Sequence, residues 1–119
     1  MFCVKKIFTF DAAHNLVKYK GKCEKLHGHT YKLEIKICGE LDDEEMVLDF
    51  SELSSIVKEE ILAQLDHSYI NNIIHQPTAE MIAKWIWDRL VNKLDSKRFK
   101  LEEVVVWETP TSCAIYFEK

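Results

Sequence analysis

His27 and His29 are separated by a single residue, Gly28. On extended chain, residues two apart project from the same side, so both imidazoles can reach one ion, and the glycine between them adds no bulk. His14, at the end of the preceding β-forming run, can supply a third nitrogen where paired strands approach. Three neutral imidazoles with an open fourth position form the donor set of a catalytic zinc, whereas structural zinc has all four positions filled by protein. A histidine-x-histidine pair alone also fits two surface or hydrogen-bonded histidines. The neighbouring residues decide between these readings.

Cys23 stands four residues before His27 and is flanked by Lys22 and Lys25. A lone cysteine in a small domain is usually an inert core residue, but lysines and a nearby Zn2+ favour a reactive thiolate. Asp66 and His67 put a carboxylate next to an imidazole, the minimum equipment for general acid or base work. Taken alone, that pair reads more simply as a helix C-terminal cap with a favourable cation. Glu108 follows Val104-Val105-Val106-Trp107, either exposed at a strand end or buried to accept from a ligand, and a guanidine-like edge would offer it two donors. Lys18, Lys20, Lys22 and Lys25 crowd the same loop. They fit a solvated loop and the attraction of a polyanion such as a triphosphate equally well.

These residues need elements to hold them. Thr30 to Ile37 alternates strictly, with Tyr31, Leu33, Ile35 and Ile37 on one face, which predicts a half-buried strand. Val4 to His14 carries β-formers, with Phe8, Phe10, Ala12 and His14 sharing one parity, and predicts the strand that pairs with it. After Asp49 and Ser51, both possible caps, Leu53, Ile56, Val57, Ile61 and Leu65 fall at helical spacing. A second helix is expected from Pro77-Thr78 to about Leu94, with Asp66 to Gln76 as a connector. Leu101 to Trp107 and Cys113 to Phe117 read as a hairpin around Thr109-Pro110-Thr111-Ser112. The expected fold is α+β in the order ββααββ, a four-stranded antiparallel sheet with two helices on one face. Four strands do not close into a barrel, so open edges point to a homo-oligomer.

Composition bounds the remainder. The chain of 119 residues fits one domain over positions 1–119, and 47% hydrophobic content supplies a core. A net charge of −4 argues against direct nucleic-acid binding, which needs a broad basic face. Met1 to Lys6 lacks the pattern of a secretory signal and no apolar run approaches membrane-spanning length, so the expectation is a cytoplasmic chain with no membrane partner. The four cysteines, at 3, 23, 38 and 113, show no Cys-x-x-Cys pair or dense spacing and are expected as reduced thiols.

Taken in order, Asp11-Ala12-Ala13-His14, Cys23-x-x-x-His27-Gly28-His29, Leu65-Asp66-His67, Pro77-Thr78-Ala79-Glu80 and Trp107-Glu108-Thr109 cover essentially the whole chain. Together they resemble the 6-pyruvoyltetrahydropterin synthase and 6-carboxytetrahydropterin synthase family. That resemblance implies the tunnelling fold, with three subunits forming a barrel and two barrels stacking as a hexamer, a dimer of trimers. It implies zinc on His14, His27 and His29, Cys23 as the catalytic thiol, Asp66 with His67 as the companion proton-transfer pair, and Glu108 as the pterin anchor. Thr78 and Glu80 match positions lining the pterin pocket, although Met81 replaces an asparagine often found there. The family builds its site across a subunit boundary.

The three-residue gap between Cys23 and His27 is similar to the 6-carboxytetrahydropterin synthases of queuosine biosynthesis; the animal enzymes generally have a longer gap. A folate-linked branch carries glutamate in place of the cysteine, and Cys23 argues against it. The implied reaction converts 7,8-dihydroneopterin triphosphate to 6-carboxy-5,6,7,8-tetrahydropterin, acetaldehyde and triphosphate. The nearest alternative is a 6-pyruvoyltetrahydropterin synthase, which eliminates triphosphate and keeps the carbon chain. A non-catalytic zinc- or pterin-binding protein of the same fold is the alternative from another class, and the joint presence of Cys23, His67 and Glu108 speaks against it.

Overall fold

A computed structural model describes all of residues 1–119. Strands β1 (Phe2–His14) and β2 (His27–Gly39) pair antiparallel over their full lengths, from Phe2 opposite Gly39 to His14 opposite His27. Helix α1 (Phe50–Val57) starts at Asp49, whose carboxylate accepts from the Ser51 N–H at 2.9 Å. It continues through a π turn, Lys58–Leu62, into the single turn α2 (Ala63–Leu65). The two-residue strand β3 (Ser68–Tyr69) follows, then α3 (Ala79–Leu90), β4 (Phe99–Thr109) and β5 (Ser112–Tyr116).

The sheet order is β3-β1-β2-β4-β5. The four long strands are antiparallel as expected, and β3 adds a fifth, parallel to β1, with Ser68 opposite Ala12 and Tyr69 opposite Ala13. Two residues carry no hydrophobic period, so the sequence pattern left this pairing inside a connector. Both N-terminal strands are longer than the alternation alone implied. β2 starts at His27 rather than Thr30, which puts the paired histidines on the strand itself.

Alternation explains which sheet face is covered. Phe8, Phe10, Tyr31, Leu33, Ile35, Ile37, Val104 and Val106 are buried on one face against Leu53, Val57, Ile61, Leu65, Ile82, Ile86 and Leu90 of the helices. Leu53, Val57, Ile61 and Leu65 advance in four-residue steps. Such steps overshoot the 3.6 residues of an α-turn, and the wider π turn takes up the excess so that Leu65 still faces the core. The helix after Thr78 stops at Leu90, short of the expected Leu94, but Leu94 stays buried in the same core. Gly39 is required by close approach, since a Cβ there would lie 2.3 Å from the Arg98 carbonyl oxygen.

The expectation of four reduced thiols is corrected for two of them. Cys3 and Cys38 face each other across β1 and β2, with Cα atoms 4.0 Å apart, and are joined as a disulfide. Their separation of 35 residues concealed a pairing that the strand register creates. Cys23 and Cys113 are free and exposed.

On the uncovered face, Glu34 is almost fully buried by its neighbours. It accepts from the Trp107 indole N–H at 2.5 Å and pairs with Lys5 at 3.0 Å, tying β4 and β1 to β2. Burial pushes the carboxyl's pKa up, but hydrogen bonds from Lys5 and Trp107, with the charges of Lys5 and Lys32, bring it below the ordinary value of 4.5. A lowered folded value means stability present in full above 4.5 and lost as the pH falls through the folded value. Glu34→Gln should therefore unfold with a shallower acid dependence below pH 4.5, measured as denaturation midpoint against pH; a curve parallel to the parent's removes this carboxylate from the acid limb.

Candidate functional site

The β1–β2 register builds the imidazole cluster directly. His14 lies opposite His27, and His29 lies opposite Ala12, so all three side chains share the covered face at its open end. Their ligand atoms lie within 4.8 Å of one another. His14 and His27 approach to 3.1 Å between Nε2 atoms, and the three rings meet edge to face.

Each ring is oriented by its surroundings. His14 is buried, and its Nδ1 lies 2.8 Å from the Pro77 carbonyl oxygen. His27 Nδ1 lies 2.8 Å from the Lys25 carbonyl oxygen. Donation from Nδ1 leaves Nε2 as the acceptor that a metal needs. His29 Nε2 is buried with no hydrogen-bond partner in the protein. Burial lowers the His29 pKa, Glu108 opposes that shift, and His14 and His27 reinforce it. A neutral, inward-facing and unpartnered nitrogen fits a metal ligand. The residues present therefore suit an ion with nitrogen donors.

Glu108, at the far end of β4, reaches the same cluster. Its carboxylate oxygens lie 3.9 Å from His14 Nε2 and 3.8 Å from His29 Nε2. It also lines a cleft of about 280 Å3 with Thr78, Glu80, Leu16, Ser112 and Cys113. The expected pocket residues Thr78 and Glu80 thus join Glu108. Thr78 has a second task, because its hydroxyl caps α3 by accepting from the Met81 N–H at 3.1 Å. Ser112 and Cys113 were missed as cleft residues, because a short strand past a turn gives no sign of which cavity it borders.

Asp66 and His67 are brought together but stand apart from the imidazole trio. His67 Nδ1 is 3.1 Å from Asp66 Oδ1, and the pair groups with Asp11 as a separate cluster. Asp66 Oδ1 accepts from the Asp11 N–H, the His67 N–H donates to the Asp11 carbonyl oxygen at 2.6 Å, and Thr30 Oγ1 donates to Asp11 Oδ1. Asp11 and Thr30 have the parity opposite to Ala12 and His29, so the Asp11 carboxylate that meets this pair is on the uncovered face, and His67 borders an open cavity at the edge of β1 together with Ala12, His29 and Thr30. His67 has φ of 60°, a left-handed conformation that an ordinary residue holds only when its surroundings impose it.

The loop between β1 and β2 carries Cys23 and the lysines. It is gripped from the connector between Asp66 and Gln76. Gln76 accepts from the Val17 and Lys18 N–H groups at 2.8 and 3.1 Å and donates to the Lys18 carbonyl at 2.7 Å. Asn71 accepts from the Asn15 N–H and donates to its carbonyl. Isolated amides in a connector give no signal by type or spacing.

The family described as 6-pyruvoyl tetrahydropterin synthase matches residues 3–119. The chain is 38% identical to a 6-carboxy-5,6,7,8-tetrahydropterin synthase of Haemophilus influenzae, over 99% of this chain and all of that protein. It is 40% identical to a dihydroneopterin monophosphate aldolase of Pyrococcus furiosus, over 84% of this chain and 83% of that one. Among solved structures, the 6-pyruvoyl tetrahydropterin synthase of Caenorhabditis elegans superposes with a TM-score of 0.84 at 25% identity, covering 99% of this chain and 96% of that one.

The cluster predicts metal retention. After exhaustive dialysis the protein should hold about one metal equivalent per chain, as expected for one three-nitrogen site. His29→Ala should lose it, and Glu108→Gln should keep it if the carboxylate serves the cleft rather than the ion. Full metal content in His29→Ala excludes this trio as the ligand set.

Proposed function

The chain belongs to the 6-pyruvoyl tetrahydropterin synthase family, and on that premise we propose that it is a zinc-dependent 6-carboxy-5,6,7,8-tetrahydropterin synthase. Its substrate is 7,8-dihydroneopterin triphosphate, which takes up water and leaves as 6-carboxytetrahydropterin, acetaldehyde and triphosphate. The step serves queuosine, a 7-deazapurine, in the cytoplasm; no helix is long and apolar enough to cross a membrane. The observation that carries the reading is the Glu108 carboxylate, set within 4 Å of two imidazoles of the trio while lining the neighbouring cleft.

His14, His27 and His29 would hold zinc, which when bound supplies Lewis-acid polarisation of the substrate's side-chain oxygens. Everything else is work for the chain's own groups. Glu108 accepts from the guanidine-like edge of the pterin, fixing the ring so that its side chain lies toward the imidazoles. Thr78 and Glu80 border the same cleft. His67, oriented through Nδ1 by Asp66, takes the proton of a side-chain hydroxyl as the carbon–carbon bond breaks. Cys23 moves the proton on the pterin side. Lys18, Lys20, Lys22 and Lys25 surround Cys23 in sequence and draw in the triphosphate.

Asp66 and His67 cluster with Asp11 rather than with the trio of their own chain, so we assign them to the site of a neighbouring copy. Open edges support such assembly: β5 has no outer neighbour, and β3 covers β1 only at Ala12 and Ala13. We read the oligomer as a hexamer, a dimer of trimers.

Product analysis tests the proposal. With 7,8-dihydroneopterin triphosphate, the zinc-loaded enzyme should release acetaldehyde and leave a one-carbon carboxyl group on the pterin, seen with an aldehyde trap and mass spectrometry. Cys23→Ala should keep zinc and lose about two to four orders of magnitude in turnover. Triphosphate loss with the three-carbon side chain retained selects the pyruvoyl alternative, and preferential consumption of dihydroneopterin monophosphate selects an aldolase. No turnover by the zinc-loaded oligomer selects a non-catalytic role.

A further inference from the structure

Cys23 is exposed, and a free thiol on an exposed loop would sample several rotamers. Here its sulfur has a partner. Asn15 Nδ2 donates to Cys23 Sγ at 3.5 Å. The amide cannot turn freely, because its other end, Oδ1, accepts from the Tyr69 hydroxyl at 2.6 Å. The Asn15 backbone is fixed as well: its N–H donates to Asn71 Oδ1 at 3.0 Å and its carbonyl accepts from Asn71 Nδ2 at 2.7 Å.

The next residues lock the two partners together. Glu24 N–H donates to the Leu16 carbonyl at 2.8 Å, and Leu16 N–H donates to Glu24 Oε1 at 3.0 Å. Asn15 and Cys23 therefore each sit one residue from a double tie. Asn15 directly follows the metal-cluster residue His14, and Cys23 leads into His27. The arrangement runs from the short strand β3, through Tyr69 and Asn15, to the sulfur.

We propose that Asn15, oriented by Tyr69, is a positioning residue that fixes the Cys23 sulfur and donates to it during proton transfer. An N–H donor interacts more strongly with sulfur carrying negative charge than with a neutral thiol. Holding the sulfur in one rotamer also keeps it at a constant place relative to the imidazoles on the same loop ends. This inference rests on the assignment of Cys23 to catalysis given above.

Asn15→Asp distinguishes this role from a packing role. The substitution is nearly isosteric, leaves the backbone contacts to Asn71 in place and can still accept from Tyr69. It removes the N–H donor and sets an acceptor against the sulfur. Iodoacetamide alkylation of Cys23, followed by peptide mass spectrometry on the zinc-loaded protein with Cys113 as internal reference, reads the effect without turnover. Hydrogen bonds to charged groups predict a fall of about tenfold or more in the Cys23 rate for Asn15→Asp, with smaller falls for Asn15→Ala and Tyr69→Phe and no change at Cys113. In steady state, Asn15→Asp should lower kcat while KM stays within about twofold. Parent-rate alkylation of Cys23 in Asn15→Asp overturns the inference. If the parent itself turns over no pterin, the functional reading fails while the alkylation ratio still decides the role of Asn15.

Discussion

The site depends on the register of β1 against β2. With His14 opposite His27 and Ala12 opposite His29, three imidazoles share the face that buries Phe8, Phe10, Tyr31 and Leu33. A slip of one residue would move the partner histidines to the other face and turn the core-facing side chains outward with them. The core therefore specifies the imidazole cluster: Phe10 and Tyr31 stack at 4.9 Å immediately inside the histidines and hold the pairing from which the cluster follows. Burying polar groups at this end of the core carries a cost. His14 is satisfied through Pro77, whereas His29 Nε2 and the Tyr31 hydroxyl have no partner within the protein. Both atoms lie beside the imidazole trio, at the same end of the core.

Much of this was legible in sequence because it follows from period. Alternation from Tyr31 to Ile37 gave the central strand and its buried face, and His27-Gly28-His29 gave two imidazoles on that face. The apolar spacing from Leu53 to Leu65 gave the first helix, though not its π turn. Thr78 and Glu80 were placed at the start of the second helix, where they border the cleft. Features that depend on distant segments meeting were not legible. The Cys3–Cys38 bond arises from strand register, β3 is too short to carry a pattern, and the grip of Asn71 and Gln76 on the Cys23 loop spans more than fifty residues. The Asp66-His67 pair was recognised as chemistry, but its grouping with Asp11 rather than with the trio could be seen only once the sheet was formed.

That separate grouping is the feature of the fold with most bearing on function. His67 is held at φ of 60° by its bond to the Asp11 carbonyl and by Asp66, so its direction is imposed by the edge of β1. The trio, Glu108 and the cleft form the other group. The proposed reaction uses both sets, and on that reading they come from different copies of the chain. On the proposed reading, the open edges of β1 and β5 bring one chain's Asp66-His67 pair to another chain's imidazole trio.

Subunit complementation measures this most directly. Cys23→Ala and His67→Ala, each inactive as a pure assembly, are dissociated, mixed in equal amounts and reassembled. If every site takes Cys23 from one copy and His67 from another, roughly one site in four is intact under random assembly, and acetaldehyde release recovers toward that fraction of the parent. Mixed assemblies as inactive as either variant alone would contradict the account and return both groups to a single chain.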